Sequence, residues 1–205
     1  APAGPDRVTV HGMATRALAL ARSQGLLAKE QYHAVDRAER FLARTQLPGG
    51  GWGYDVPSDG YSYQRCPAIT SASVWPIRAL ALAPQFKQAY SRSIDWIAAQ
   101  RTSDGGFRYR SQPTADPDPG ATLMSALCLH EAGRTPPASQ AHPTAPKDDL
   151  YLGYFHAAQP GSTGYVEALA ERQNDDGSWP LDDRWSAPGG PVYTTAMALL
   201  TLASD

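Results

Sequence analysis

One short phrase occurs three times in this chain: a glutamine, three or four residues, a glycine, one further residue and a large aromatic. The copies run from Gln46 through Gly50 to Trp52, from Gln100 through Gly105 to Phe107, and from Gln173 through Gly177 to Trp179. An internal repeat constrains a fold more than any single motif, because every copy must solve the same packing problem. Each phrase follows an amphipathic stretch (FLARTQ, WIAAQ, ALAERQ) and precedes a stretch of small and apolar residues. The unit is read as a pair of helices with an aromatic tie between successive pairs. The glutamine stands where a helix leaves its last backbone groups unpaired. The glycine supplies the backbone conformation that leaves a helix, and the aromatic buries a broad face against the next pair.

Taken in order, residues 1–9 read as an extended arm, and His11–Ser23, with Ala and Leu at helical spacing, as a first inner helix stopped at Gly25. Lys29–Gln46 carries Val35, Ala38, Phe41 and Leu42 on one face and charge on the other, the pattern of an outer helix with one wet side. A loop rich in Tyr, Ser and Gly over Asp55–Pro67 leads to a second inner helix, Thr70–Ala83, in which Pro76 is expected in the first turn or at a kink. Gln85–Gln100 is its outer partner. After the Tyr109–Asp118 loop comes a third inner helix, Ala121–Ala132, ended by Gly133. Four prolines in Arg134–Lys147 forbid a helix there and predict an irregular strap over 134–147. Asp148–Gln159 is the fourth inner helix, capped by Asp148 or Asp149. Ser162–Gln173 is its outer partner and Tyr193–Ala203 the fifth inner helix, for about nine helices in one domain over 10–205.

The 18 Lys and Arg are scattered among 20 Asp and Glu, which leaves no basic footprint for nucleic acid. Even the greasiest stretch, Ile69–Ala83, is broken by Arg, Ser and Pro, far short of the ~18–20 apolar residues that cross a bilayer. The opening Ala-Pro-Ala-Gly-Pro-Asp lacks an initiator Met, which suits a processed export signal or anchor and predicts an exported protein, periplasmic or extracellular, and membrane-peripheral at most. Cys66 and Cys128 have no metal-ligand spacing and read as a loop thiol and a buried thiol, with a disulfide between them open to an exported chain.

The tie pattern resembles the QW repeats of squalene cyclases and of the related prenyltransferase β-subunits. HGMATRALALARSQG and GGPVYTTAMALLTL look like inner helices of bacterial squalene-cyclase-like proteins, so that the resemblance covers roughly residues 10–205. It implies an all-α fold of the α/α toroid type, here a shortened or incomplete ring, with loops into the inner helices around the mouth of a central cavity. It also directs attention to an acidic D-x-D-D motif, of which Asp116 and Asp118 match the first and middle residues while Pro119 replaces the last. That departure argues against alkene protonation, and the residue-level reading is an Asp-Pro turn that caps the helix at Ala121. The prenyltransferase zinc site implied by the resemblance lacks its residues: Tyr193-Thr194-Thr195 stands where a His is wanted, and no Asp closely precedes Cys66. Neither a metal nor a cofactor is expected. Asp175-Asp176 with Asp182-Asp183 are hard oxygen donors without a recognised calcium spacing and read as solvated caps.

Aromatic and imidazole side chains gather on inner helices and mouth loops, and His11, Tyr61, Trp75, Tyr154, His156 and Tyr193 are the candidates for a cavity lining or a partner surface. With the acid motif degraded, the expected function is a non-catalytic binding or scaffold subunit. It would grip a protein partner through the arm, the strap and the 55–67 loop, with room for an apolar ligand at the centre. The alternatives are a small terpenoid- or lipid-processing cyclase using Asp118 as general acid, or a carbohydrate-active α/α-barrel enzyme.

Overall fold

The computed structural model describes residues 7–54, 67–134, 149–158, 165–183 and 185–203. Among these residues the chain forms eight α-helices and two 3-10 turns, and extended segments meet only as isolated bridges. The all-α expectation holds. Contacts divide the chain into two units, Ala1–Gln140 and Ala141–Asp205.

The first unit contains α1 (Arg7–Ser23), α2 (Tyr32–Thr45), α3 (Thr70–Leu80), α4 (Lys87–Ala99) and α5 (Pro119–Glu131). α3 lies between α1 and α5, while α2 touches α1 and α3, and α4 touches α3 and α5. Sequence decides which helix goes inside. Every residue of α3 except Ser71 is buried, as is every residue of α5 from Gly120 to Leu129 except Ala126. α2 and α4 turn Arg37, Arg40 and Arg44, and Lys87, Arg92 and Asp95, to solvent. They bury Val35 and Leu42, and Ile94, Trp96 and Ile97. The outer helices also begin differently from expectation, each opened by a 3-10 turn, Lys29–Gln31 and Pro84–Phe86.

The closest helix crossing is α1 on α3. A Cβ built on Gly12 would stand 2.7 Å from both the ring Cδ and the backbone N of Pro76. Of the two places expected for Pro76, the first turn is ruled out, because the helix already begins at Thr70 and Pro76 stands in its interior. The extended residue before it is pinned by an Ile69 N–H bond to the Trp52 carbonyl at 2.8 Å. At the far end of α1, Arg22 donates to Asp36 and to Glu39, whose side chain is fully buried, and Gln85 donates to the other Glu39 oxygen. This node joins α1, α2 and the 84–86 turn.

The second unit contains α6 (Leu150–Ala157), α7 (Tyr165–Ala170) and α8 (Ser186–Leu202), with α8 packed on both others. α8 starts seven residues before the expected Tyr193, with a break at Gly190 (φ 63°) between a first turn and the main helix from Pro191. The early turn exists because Asp183 accepts the Trp185 N–H on its carboxylate and the Ser186 N–H on its carbonyl. Asp149 is the cap of α6, accepting the Leu152 N–H at 2.9 Å, and α7 ends at Ala170 rather than running to Gln173. Of the arm expected over 1–9, Arg7 to Thr9 are helical, with the Val8 N–H held by the Tyr54 carbonyl, and residues 1–6 lie outside the described residues. The strap at 135–147, the loop at 55–66 with Tyr61, Tyr63 and Cys66, and Asp148 lie outside the described residues.

Gly12→Ala is expected to force α1 away from Pro76 and to destabilise the first unit by about 1–3 kcal/mol in denaturant melts, the usual cost of overpacking. Burial, opposed in part by Arg22, raises the carboxyl of Glu39 above its ordinary 4.5. The native state then holds this proton more tightly than the unfolded chain, so the stability it contributes is complete below pH 4.5 and is lost as pH rises through the raised value. Glu39→Gln should flatten the decline seen above pH 4.5 in the parent; parallel profiles would assign the decline to another group.

Candidate functional site

The three ties share one bonding scheme when they are aligned on the aromatic. The residue five places earlier (Leu47, Thr102, Asn174) donates its N–H to the carbonyl just before the aromatic (Gly51, Gly106, Ser178) at 2.9, 2.9 and 2.8 Å. The glycine two places before the aromatic donates back to that same residue's carbonyl, at 2.8, 3.1 and 2.9 Å. These glycines, Gly50, Gly105 and Gly177, have φ of 104°, 91° and 84°, a region that L side chains rarely enter. At Gly50 a Cβ would also meet the Arg92 carbonyl at 2.4 Å.

Trp52, Phe107 and Trp179 are all buried to 2 % exposure or less. Both indole N–H groups donate to the carbonyl ten residues earlier, Leu42 and Leu169, at 2.9 Å. Each aromatic is also gripped through its backbone by a hydroxyl on the inner helix that follows. Trp52 N–H donates to Ser73 Oγ at 2.8 Å, Phe107 N–H to Thr122 Oγ1 at 3.0 Å, and Thr194 Oγ1 donates to the Trp179 carbonyl at 3.5 Å. These are the fourth residues of α3, of α5 and of the α8 segment from Pro191. Sequence reasoning missed them; the signal was a Ser or Thr in the first turn of each tied inner helix.

The glutamines divide. Gln46 Nε2 donates to the carbonyls of Gly50 and Ala89, and Gln173 Nε2 to that of Gly177. Gln100 is one place out of register, Arg101 standing at the equivalent position, and its Nε2 donates to Trp96 O within its own helix. Phe107 has no ring N–H, and the carbonyl that an indole would reach, Ile97 O, takes the Gln100 backbone N–H, as Leu169 O takes that of Arg172 in addition to the Trp179 indole. Gln100 thus bonds a carbonyl of its own helix end, the role expected of all three, while Gln46 and Gln173 bond the carbonyl of the tie glycine. Asp104 and Asp176, three before their aromatics, accept from Thr102 and Gly106 and from Ser178, bonds that hold both carboxyls below their ordinary range.

The remaining candidates fall apart spatially. Asp118 Oδ1 accepts the Ala121 N–H at 2.7 Å as N-cap of α5, with Pro119 as the first helical residue, and Asp116 is exposed. Asp182 pairs with Arg172, and Asp183, buried, accepts the N–H groups of Leu150 and Trp185. Among the described residues no group of His, Cys, Asp and Glu is arranged to hold a metal ion. His11 leans on Phe41 with ring centres 4.3 Å apart and donates from Nε2 to Ala38 O, joining α1 to α2. Trp75 is buried beneath the Arg78 guanidinium, and Arg78 grips Glu131 of α5 with two nitrogens. Tyr154 is buried edge-on against Phe155, and His156 stands 6.0 Å from the ring of Tyr165. Neither Trp75 nor Tyr154 offers an open surface. Burial first, then Asp183 and Asp149, push the Tyr193 hydroxyl well above the ordinary tyrosine range. Cys128 is a free thiol, fully buried, with its pKa pushed up to about 12 mainly by that burial.

Two features belong to no candidate named from sequence. The hydroxyls of Tyr54, Ser71 and Tyr109 meet at the start of α3, with Tyr54 bonded to both others and Ser71 Oγ 3.0 Å from the Tyr109 hydroxyl. They close the loops of two successive ties over one inner helix. The second feature is a contrast between helix faces. From Val8 to Ala21 every exposed residue of α1 is apolar: Val10, Ala14, Ala17 and Leu18. α8 has no charged residue at all, and its main segment from Pro191 exposes, besides that proline, Val192, Ala196, Leu199 and Leu200.

No family model, curated protein or solved structure matches this chain.

Asp118→Asn should leave thermal stability nearly unchanged, because Asn caps as well as Asp, whereas Asp118→Ala should cost about 1 kcal/mol. Equal losses in the two variants would show that charge, not capping, is what the residue contributes.

Proposed function

We propose that this chain is a non-catalytic, squalene-cyclase-like domain of the α/α toroid type, a shortened or incomplete ring that serves as a binding or scaffold subunit. The order of inner and outer helices and the three ties in register support the fold reading. The observation that carries the functional one is the contrast of faces. Outer helices α2 and α4 meet solvent with Arg, Lys and Asp, as a helix facing water does. Inner helices α1 and α8 present bare Val and Leu side chains, Val192 at 81 % exposure and Val10 at 61 %. A contiguous apolar stripe of that kind marks a surface meant for another macromolecule. The capping bond of Asp118 to Ala121 supports the non-catalytic half of the reading, since the side chain proposed as acid is already an acceptor in a helix start.

The partner assembly on this reading is an envelope or membrane-associated complex of an exported protein. No helix among the described residues is long and apolar enough to cross a membrane. Gentle purification from the native source followed by native mass spectrometry tests the proposal. The expected result is a stable assembly containing this chain. A lone chain carrying a hydrocarbon mass would overturn it in favour of a cyclase or lipid carrier.

A further inference from the structure

A cleft of about 540 Å3 opens where α1 and α3 end, bounded by Arg22 of α1, by Asp36 and Arg40 of α2, and by residues 82 and 84–86. It lies wholly within the first unit, and none of the site residues named from sequence lines it. We infer that this cleft is a binding site for a small monocarboxylate with an aromatic body, its charge taken by Arg40 and its ring laid on Leu82, Pro84 and Phe86.

The first support is an unmatched charge. Asp36 and Arg40 stand four residues apart on α2, the spacing at which an acid and a base on one helix ordinarily pair. Asp36 instead accepts from Arg22 Nη1 at 2.9 Å. Glu39, the other acid bonded to the walls of the cleft, is taken by Arg22 Nη2 and Gln85 Nε2. With both acids engaged elsewhere, Arg40 is left at the rim, exposed and making no hydrogen bond or ion pair among the described residues. A guanidinium offers two parallel N–H groups, the fork that a carboxylate matches. A monoanion fits here better than a phosphate, because Asp36, half-exposed on the same helix face, repels a second negative charge.

The second support is the apolar wall in the same cleft. Leu82, Pro84 and Phe86 line it, and none of the three is fully buried, so each still meets water in the single chain. A ring laid on them removes that surface from water. Pro84 and Phe86 are themselves ring side chains, and flat faces are best covered by a flat ligand.

The third is that the wall is fixed in advance. Pro84 opens its 3-10 turn with φ locked, Ala83 O holds the Phe86 N–H at 2.9 Å, and Glu39 holds the Gln85 side chain. A preformed cleft loses little freedom when a ligand enters, and this volume lies in the range of small-molecule sites.

Titration of the full chain with phenylacetate, followed by heteronuclear NMR, tests the assignment. Saturable shifts are expected in the backbone amides of Arg40, Gln85 and Phe86, and none in Gly50 to Trp52. Arg40→Gln should bind the probe about tenfold more weakly, the loss of a charge-assisted pair. Its thermal melt should be unchanged, since Arg40 bonds nothing among the described residues. Phenylacetamide keeps the ring and lacks the charge; it should bind parent and variant alike, as weakly as the variant binds phenylacetate. Equal affinity of parent and Arg40→Gln for phenylacetate, or shifts that spare these three amides, would overturn the site. Displacement of phenylacetate by an equal concentration of inorganic phosphate would overturn the choice of a monocarboxylate. The scaffold reading stands on the faces of α1 and α8 and is untouched by either result.

Discussion

The buried aromatic that closes each tie is the interaction on which the helix pairs depend. A Trp or Phe taken out of water contributes about 1.5–3 kcal/mol from apolar area, but area alone would not place it. Placement comes from the backbone bonds around it: Trp52 is held by Ser73 in front and reaches Leu42 behind, so one residue joins the end of α2 to the start of α3. Trp179 reaches Leu169 in the same way, and Thr194 Oγ1 stands 3.5 Å from its carbonyl, a looser contact of opposite direction. Removing the ring would open a cavity and also take one of two donors from a helix-end carbonyl, since Leu42 O also accepts from Thr45 Oγ1 and Leu169 O from the Arg172 N–H. The tie is therefore both packing and cap.

The middle copy tests this account, because it lacks the indole N–H. If the carbonyl at the helix end needs a partner, something else must supply one. The Gln100 N–H takes Ile97 O, and the Gln100 side chain takes Trp96 O. The glutamine has moved one place toward the helix in step with the change from Trp to Phe, and Arg101 occupies the position it left. The third copy has the equivalent backbone bond, Arg172 N–H on Leu169 O, so there the indole N–H is a second donor to a carbonyl that is already paired. The hydroxyl grip of Thr122 on Phe107 is retained, since it acts on the backbone and is indifferent to the ring.

Polar groups in the interior follow the same economy. Arg78 with Glu131 joins α3 to α5, Glu39 with Arg22 and Gln85 joins α1, α2 and the 84–86 turn, and Asp183 joins the starts of α6 and α8. Each sits at a helix end or crossing where backbone or charge would otherwise be unpaired. The conspicuous acids of the sequence, Asp118, Asp176 and Asp183, all prove to be acceptors for nearby N–H groups.

Much of the fold was legible in the sequence because it rests on local periodicity. The tie glycines, the wet faces of α2 and α4 and the small and mainly apolar residues of α3 and α5 follow from residue type and spacing. Asp118 as a cap was readable in the same way, from an Asp-Pro step before a helix. Tertiary structure alone decided the rest. The hydroxyl grips of Ser73, Thr122 and Thr194 depend on which helix a loop delivers next to the aromatic, and a Ser or Thr in a first turn looks the same with or without a neighbour. The burial of Trp75 and Tyr154 was hidden for a related reason: an aromatic on an inner helix has the same pattern whether it faces a cavity or a packed core. The bare stripes on α1 and α8 stayed unread because small and apolar residues stand on several sides of these helices, and only the packing shows which flank another helix has covered.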